Sequence, residues 1–425
     1  MTTAATSWVE IPEGSHFPVQ NLPYGVFARP GQAPRVGVAI GAHVLDLAGL
    51  AQAGLLPGPG WFAAPTLNAF MAAGPAAWRT ARARITELLS DARHRGEVEP
   101  HLERQAEVEL LLPFEVADYV DFYSSRDHAS TVGQIFRPGS PPLPRNWLHL
   151  PAGYHGRAGS VVVSGTPVTR PRGQLLPAGA AAPVFGPTRR LDFEAEVGFV
   201  IGVGSPLGTA VAAGEFTQHA FGFVLVNDWS ARDIQSWETQ PLGPFLGKSF
   251  ATSLSPWVLP VAALETARVA PPRQDPPPLP YLRCEQPWGL DLALQVMLND
   301  QILARPAFRG MYWTSPQQLA HATVNGAPLR TGDLFASGTV SGPGPDERGC
   351  LLEMTWDGTR PVMLPDGTTR AYLEDGDVVR ITATAPGADG TTIGFGSVEG
   401  RVAPPQPVVN RQRFGCPPGD GDPGC

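Results

Sequence analysis

The chain has little of several things that would narrow its class. Only four of its 425 residues are cysteine, Cys284, Cys350, Cys416 and Cys425, and no spacing among them suggests a zinc site. A disulfide scaffold is therefore excluded, and free thiols in a reducing compartment are expected. Basic residues are in the minority: 31 Lys and Arg against 39 Asp and Glu give a formal net charge of −8. That balance argues against general nucleic-acid affinity and is compatible with a divalent-cation site built from carboxylates. No apolar run approaches the roughly 18 residues of a membrane span, so no membrane partner is expected. The opening Met1–Trp8 segment has neither the basic nor the apolar region of a signal peptide. A cytoplasmic, soluble protein is expected.

What the sequence does hold is glycine and proline, 48 and 47 residues, more than a fifth of the chain. This stays short of low-complexity composition and favours many short strands joined by turns. Hydrophobic residues make up 43%, a globular value, and 425 residues call for two or three cores. Residues 1–115 read as one small β-rich unit with a helix. Within it Val36–Gly41 and His43–Leu47 form a hairpin, and Thr66–Ala92 carries Trp78, Ile85, Leu88 and Leu89 at helical spacing. Val108–Pro113 is a strand or an entry to the next unit. Residues 116–403 read as a second unit of short strands, at Ser160–Gly165, Phe193–Val203, Leu292–Leu298 and Val378–Ala383. Helices are expected there at Ser230–Glu238 and Ser315–Val324. Ala270–Pro278 reads as a surface loop and 404–425 as a flexible tail. No internal repeat is visible.

Chemistry concentrates in Asp121-Phe122-Tyr123-Ser124-Ser125-Arg126-Asp127-His128. A carboxylate, a phenol, a guanidinium and an imidazole within eight residues have the composition of an active-site loop. His128 has structural, metal-binding and catalytic readings, and its place beside a candidate ligand favours chemistry. A carboxylate would hold its basic tautomer, but spacing names no partner. In Arg190–Val200, period two puts Glu194 and Glu196 on one strand face. Adjacent carboxylates repel unless a cation or a proton separates them; a solvated edge strand is the bland alternative. Asp228 ends an apolar run before a short helix, an address for ligation or, with Ser230, for helix capping. Arg232 and Gln235 share a face of that helix. Gly247-Lys248-Ser249 lacks the upstream glycine of a phosphate loop, which leaves Lys248 as an electrophilic donor and rejects nucleotide binding. Tyr154-His155-Gly156-Arg157 supplies another phenol and another cation. His149 and His155 read as turn or core residues, and Trp147, Trp237 and Trp313 as packing.

These segments together resemble the fumarylacetoacetate hydrolase family. The resembling text is D-F-Y-S-S-R-D-H at 121–128, N-W-L-H-L-P-A-G-Y-H-G-R at 146–157 and D-F-E-A-E at 192–196. It continues with N-D-W-S-A-R-D-I-Q at 227–235, P-L-G-P-F-L-G-K-S-F at 241–250, M-Y-W-T at 311–314 and L-F-A-S-G-T-V-S-G at 334–342. The resemblance implies a mainly β (α+β) fold: a small SH3-like N-terminal barrel, then a C-terminal β-roll, assembled as a homodimer. It implies metal-dependent hydrolysis of a carbon–carbon bond of 4-fumarylacetoacetate to fumarate and acetoacetate, the last step of tyrosine and phenylalanine breakdown. The metal ligands would be Asp121, Glu194, Glu196 and Asp228, an all-oxygen set suited to Ca²⁺ or Mg²⁺ and not to zinc. A second, structural Mg²⁺ would lie near Lys248 and Thr252, chiefly on backbone oxygen. His128 would be the general base, oriented by Glu353, with Arg232, Gln235 and Lys248 on the oxyanion. Tyr123, Arg137, Tyr154 and Thr339 would hold the diketo-acid substrate, while Arg126 and Asp127 support the segment.

The chain departs from the family's pattern at Thr239, where a tyrosine often follows Trp-Glu, and at Ala251, where glycine is frequent. A threonine does not reach as far as a phenol, which bears on one end of the substrate. Two rivals stand beside this reading. One is a related enzyme acting on short 2,4-diketo acids or on oxaloacetate; the other is a non-catalytic, metal-stabilised module. A base with three donors weighs against the second.

Overall fold

The computed structural model describes residues 6–364 and 366–407. The expected tail from 408 onward, with Cys416 and Cys425, lies outside the described residues, as does the opening Met1–Ala5 segment. Among the described residues Cys284 and Cys350 are free thiols. No helix among them is long and apolar enough to cross a membrane.

The fold is mixed α+β and mainly β. One long sheet runs in the order Leu102–Arg104, His43–Asp46, Arg35–Ile40, Tyr24–Ala28, Trp257–Pro260, Ala220–Asp228, Ala195–Ile201, Leu334–Ala336, Tyr119–Phe122, Gly153–His155. The expected N-terminal hairpin is present, with Val38 opposite Leu45. Tyr24–Ala28 pairs antiparallel with Trp257–Pro260, so the N-terminal strands and the later ones share one sheet. A second sheet is built on Ala293–Leu298, Val378–Pro386 and Thr392–Ala403.

The two central strands, AEVGFVI and AFGFVLVND, are buried along their whole length. Period two, reset by a register shift at Val200/Ile201 opposite Ala220–Gly222, divides their side chains between two cores. Val197, Phe199, Phe223 and Leu225 enter the larger cluster with the second sheet. Val200, Phe221, Val224 and Val226 enter the other, against the N-terminal helices. Burial on both faces explains why these strands read as continuous apolar runs rather than as alternating ones.

The single helix expected over Thr66–Ala92 is two, Asn68–Ala72 and Gly74–Ser90. The break falls at Gly74, whose φ of +87° is outside helical backbone. The second helix buries Ala77, Ala81, Ile85, Leu88 and Leu89, one stripe at helical spacing. The other expected helices appear as Arg232–Glu238 and Ser315–Thr323. Trp147 and Trp313 pack in a small buried cluster with Tyr312, but Trp237 is 40% exposed, which corrects its reading as a packing residue.

Candidate active site

The octapeptide is strand, turn and helix rather than a loop. Asp121 lies in Tyr119–Phe122, and Arg126–Phe136 is a helix. Ser125 caps that helix: its Oγ accepts from the N–H of His128 at 3.2 Å and donates to the carbonyl of Ser341 at 3.0 Å. The cap fixes His128 in the first turn, buried and facing the interior. Capping is thus performed by Ser125 here, whereas Arg232–Glu238 has no side-chain cap, so neither Asp228 nor Ser230 serves as one.

Nδ1 of His128 lies 2.7 Å from Oε2 of Glu353. A carboxylate only accepts, so Nδ1 carries the proton and Nε2 is the basic nitrogen. The same Oε2 accepts from Ser341 Oγ at 2.7 Å and from Cys350 Sγ at 3.2 Å. Burial pulls the pKa of Glu353 upward, but His128 and these donors hold it below the ordinary carboxylate value.

Beside this pair sits a cluster of carboxylates. Ala195–Ile201 runs antiparallel to Ala220–Asp228, so Glu196 at the start of one strand and Asp228 at the end of the other reach the same sheet edge. Asp121 joins them through the intervening Leu334–Ala336 strand. Oxygens of Asp121, Glu196 and Asp228 lie within 4.8 Å of one another. Glu194 reaches the cluster through Lys248, whose Nζ donates to Glu194 and, at 2.6 Å, to Asp228. Gly338 donates its N–H to Glu196 at 3.0 Å. Only glycine serves there: φ is +77°, and a Cβ would stand 2.1 Å from the carbonyl oxygen of Phe122.

Arg157, unassigned by sequence, is central. Its Nη2 donates to Asp121 at 2.7 Å and to Asp228 at 2.8 Å, and its guanidinium lies over the rings of Tyr119 and Tyr154. Burial pushes Asp121 up to about 6 even with Arg157 beside it. Burial and the neighbouring carboxylates push Glu196 well above the ordinary range. Against the same burial, Lys248 and Arg232 hold Glu194 low. One oxygen each of Asp121 and Glu196 is buried without a hydrogen-bond partner. Orphaned, crowded, all-oxygen donors of this kind fit a hard divalent cation.

Tyr123, His128, Arg137, Tyr154, Gln235, Thr339 and Lys248 line one cleft of about 700 Å³, together with Asp121, Glu194 and Arg232. Glu353 stands behind His128. Glu196 and Asp228 are fully buried and do not line the cleft, and Thr252, also buried, donates its hydroxyl to Asp228 at 3.3 Å. Tyr154 Oη, Thr339 Oγ1 and Arg232 Nη2 are buried and unpartnered, three polar groups left for a ligand. Arg137 stands exposed at the rim. Thr239 lines the cleft, but its hydroxyl turns back to the carbonyl of Gln235. His155, expected in a turn or in the core, is instead an exposed strand residue paired with Asp118, because it ends the Gly153–His155 strand against Val120.

A buried imidazole–carboxylate pair, unpartnered polar groups in the cleft and a carboxylate cluster beside it are the equipment of a hydrolytic enzyme able to use a metal. Residues 20–113 match the fumarylacetoacetase N-terminal family and residues 118–403 the fumarylacetoacetate (FAA) hydrolase C-terminal family. The chain belongs to the fumarylacetoacetate hydrolase family. It is 50% identical to the fumarylacetoacetase of Bos taurus over 416 residues and 49% identical to that of Homo sapiens. Each alignment covers 94% of this chain and 99% of the relative. The fold is also that of a fumarylacetoacetate hydrolase from Exiguobacterium antarcticum, with a TM-score of 0.53 and 17% identity over 90% of this chain and 99% of that one.

Proposed function

We propose that this chain hydrolyses 4-fumarylacetoacetate to fumarate and acetoacetate. The observation that carries the reading is the meeting, in one cleft, of the His128–Glu353 pair with Arg232, Gln235, Lys248 and the carboxylate cluster. Near full-length identity to curated fumarylacetoacetases supports the substrate.

The geometry supports the following roles. Nε2 of His128 takes a proton from water, and Glu353 steadies the imidazolium that forms. The hydroxide adds to the carbonyl carbon at the fumaryl end. Arg232 Nη2, Gln235 and Lys248 meet the oxyanion. The carbon–carbon bond then breaks, its electron pair leaves on the acetoacetate carbon, and the proton held by His128 is returned there. Tyr123, Arg137, Tyr154 and Thr339 hold the carboxylates and carbonyls. A divalent cation held by Asp121, Glu194, Glu196 and Asp228 supplies Lewis-acid polarisation of the diketone when bound. Ca²⁺ or Mg²⁺ is the ion in this reading, with a second, structural Mg²⁺ near Lys248 and Thr252. An SH3-like barrel over 1–115, a β-roll over 116–403, a homodimer and a cytoplasmic location complete it.

The test follows loss of diketone absorbance with fumarylacetoacetate and with acetopyruvate, after chelation and after return of Ca²⁺ or Mg²⁺. Metal-dependent cleavage of fumarylacetoacetate supports the reading. Preference for acetopyruvate replaces it with a short-chain diketo-acid hydrolase, and cleavage of neither overturns it.

A further inference from the structure

Asp192 belongs to none of the roles above, yet it joins two of them. It is fully buried, and both its oxygens are saturated. Oδ2 accepts from Nε of Arg232 at 2.9 Å and from the backbone N–H of Leu352 at 3.0 Å. Oδ1 accepts from the N–H of Leu351 at 2.8 Å and of Phe193 at 2.8 Å. Leu351 and Leu352 are the two residues before Glu353, and their N–H groups open the short helix Leu351–Met354. N–H groups in a first turn have no partner within the helix, so Asp192 supplies the missing acceptors.

The carboxylate is itself held in place. Asp192 pairs with Ser230 in a short antiparallel ladder, and the N–H of Arg232 donates to the carbonyl of Arg190. The guanidinium of Arg232 is then fixed at two points: Nε on Asp192 and Nη1 on Glu194 at 2.7 Å. That clamp leaves Nη2 buried and unpartnered, on a residue that lines the cleft.

We propose that Asp192 is a positioning residue that sets the spacing between the oxyanion donor Arg232 and the base-orienting Glu353. The inference rests on the roles given to those two residues above. One carboxylate holds both, so a shift of either side is transmitted to the other. An amide in its place has a single acceptor oxygen and two N–H donors. Asp192→Asn therefore strands at least one of four buried donors and turns an N–H toward another.

The test is a set of double-mutant cycles on turnover of fumarylacetoacetate by the full chain, loaded with Ca²⁺. Asp192→Asn is expected to lower kcat roughly 30-fold or more with KM within about threefold. Combined with Glu353→Gln, and separately with Arg232→Lys, the loss should exceed the larger single loss by no more than about threefold. Combined with Tyr154→Phe, whose hydroxyl shares no hydrogen bond with Asp192, Arg232 or Glu353, the losses should multiply. Full multiplication with both Glu353 and Arg232, or an unchanged kcat with only a lower Tm, overturns the proposal. Should Asp192→Asn not fold, Asp192→Glu keeps the charge and the acceptors while lengthening the tether by one methylene, and the same cycles apply. The link is also read without altering Asp192: Arg232→Met should speed amide hydrogen exchange at Leu351 and Leu352, and unchanged exchange there counts against it. A wild-type chain that cleaves no fumarylacetoacetate fails the functional reading instead, which the exchange measurement separates from failure of the link.

Discussion

Nδ1 of His128 stands 2.7 Å from Oε2 of Glu353, across 225 positions of sequence. The contact makes two distinct predictions. His128→Ala removes the proton acceptor and should lower kcat by roughly 100- to 10,000-fold. Calcium binding, measured by titration calorimetry, should be kept, because the imidazole is not among the carboxylate donors. Glu353→Gln preserves shape and an acceptor but not the charge, so its loss should be smaller than that of His128→Ala. Equal turnover in wild type and His128→Ala would remove the base assignment.

The carboxylate cluster predicts opposite effects of one substitution on two forms of the protein. Glu196 is buried among Asp121, Asp228 and Glu194, which disfavour its charge. Glu196→Gln should therefore leave the metal-free protein as stable as wild type, or more stable. It should also abolish the gain on adding calcium, which for an intact site is about 2.7 kcal/mol at a hundredfold excess over Kd. Thermal melts with and without Ca²⁺ read both effects. A variant that still gains stability from calcium would take Glu196 out of the ligand set.

Much of this was legible because the informative residues are local. The apolar run into Asp228 gave a strand end, but period two placed Glu194 and Glu196 on one strand face, whereas the strand starts only at Ala195 and Glu194 reaches the cluster through Lys248. The His128–Glu353 pairing came only from the family resemblance and not from spacing, since helix Leu351–Met354 reaches Arg126–Phe136 only through the tertiary fold. Arg157 was visible as a cation in a turn, but nothing in its neighbours tells that it bridges Asp121 and Asp228. The octapeptide was misread as a loop although Ser125 and Asp127 carry a helix-start signal, a capping hydroxyl followed by an acid in the first turn. Its run of polar residues masked that signal, and the helix face on the cleft carries His128, Val132 and Phe136.

Arg157 is the cation best placed to hold the cluster together without metal. Its side chain is 4% exposed and pairs with two buried carboxylates. Arg157→Met keeps the length and strips the charge, leaving Asp121 and Asp228 facing each other. The metal-free variant should lose about 3–5 kcal/mol of unfolding free energy, and added calcium should recover part of it. Denaturant titrations check the loss; a change below about 1 kcal/mol would mean the pairing is dispensable.

His155 and Asp118 form an ion pair at 2.7 Å on the outside of the same strands. The hydrogen bond to Asp118 raises the imidazole above its ordinary value of 6.5, with burial opposing. A raised histidine stabilises the fold below its unfolded pKa, and that contribution is lost as pH rises through the folded value. The stability gap between wild type and His155→Gln should thus be present at pH 5.5 and vanish at pH 8–9, staying within about 1 kcal/mol for so exposed a pair. A gap that grows with pH would reverse the assignment.

Thr239 offers the sharpest test of substrate choice. Its side chain faces the cleft, yet its hydroxyl is spent on the carbonyl of Gln235 at 2.5 Å. Thr239→Ala should accordingly change kcat/KM for fumarylacetoacetate by less than about twofold, since no ligand bond is lost. Thr239→Tyr places a phenol where the threonine cannot reach. One added hydrogen bond to the fumaryl carboxylate, worth about 1.5 kcal/mol or more, should raise kcat/KM for fumarylacetoacetate about tenfold or more. Acetopyruvate lacks the fumaryl carboxylate and ends short of that position, so it should gain nothing. The ratio of the two specificity constants separates the cases: a rise only for the longer substrate places Thr239 at the fumaryl end, and equal changes for both place it elsewhere along the chain of the substrate.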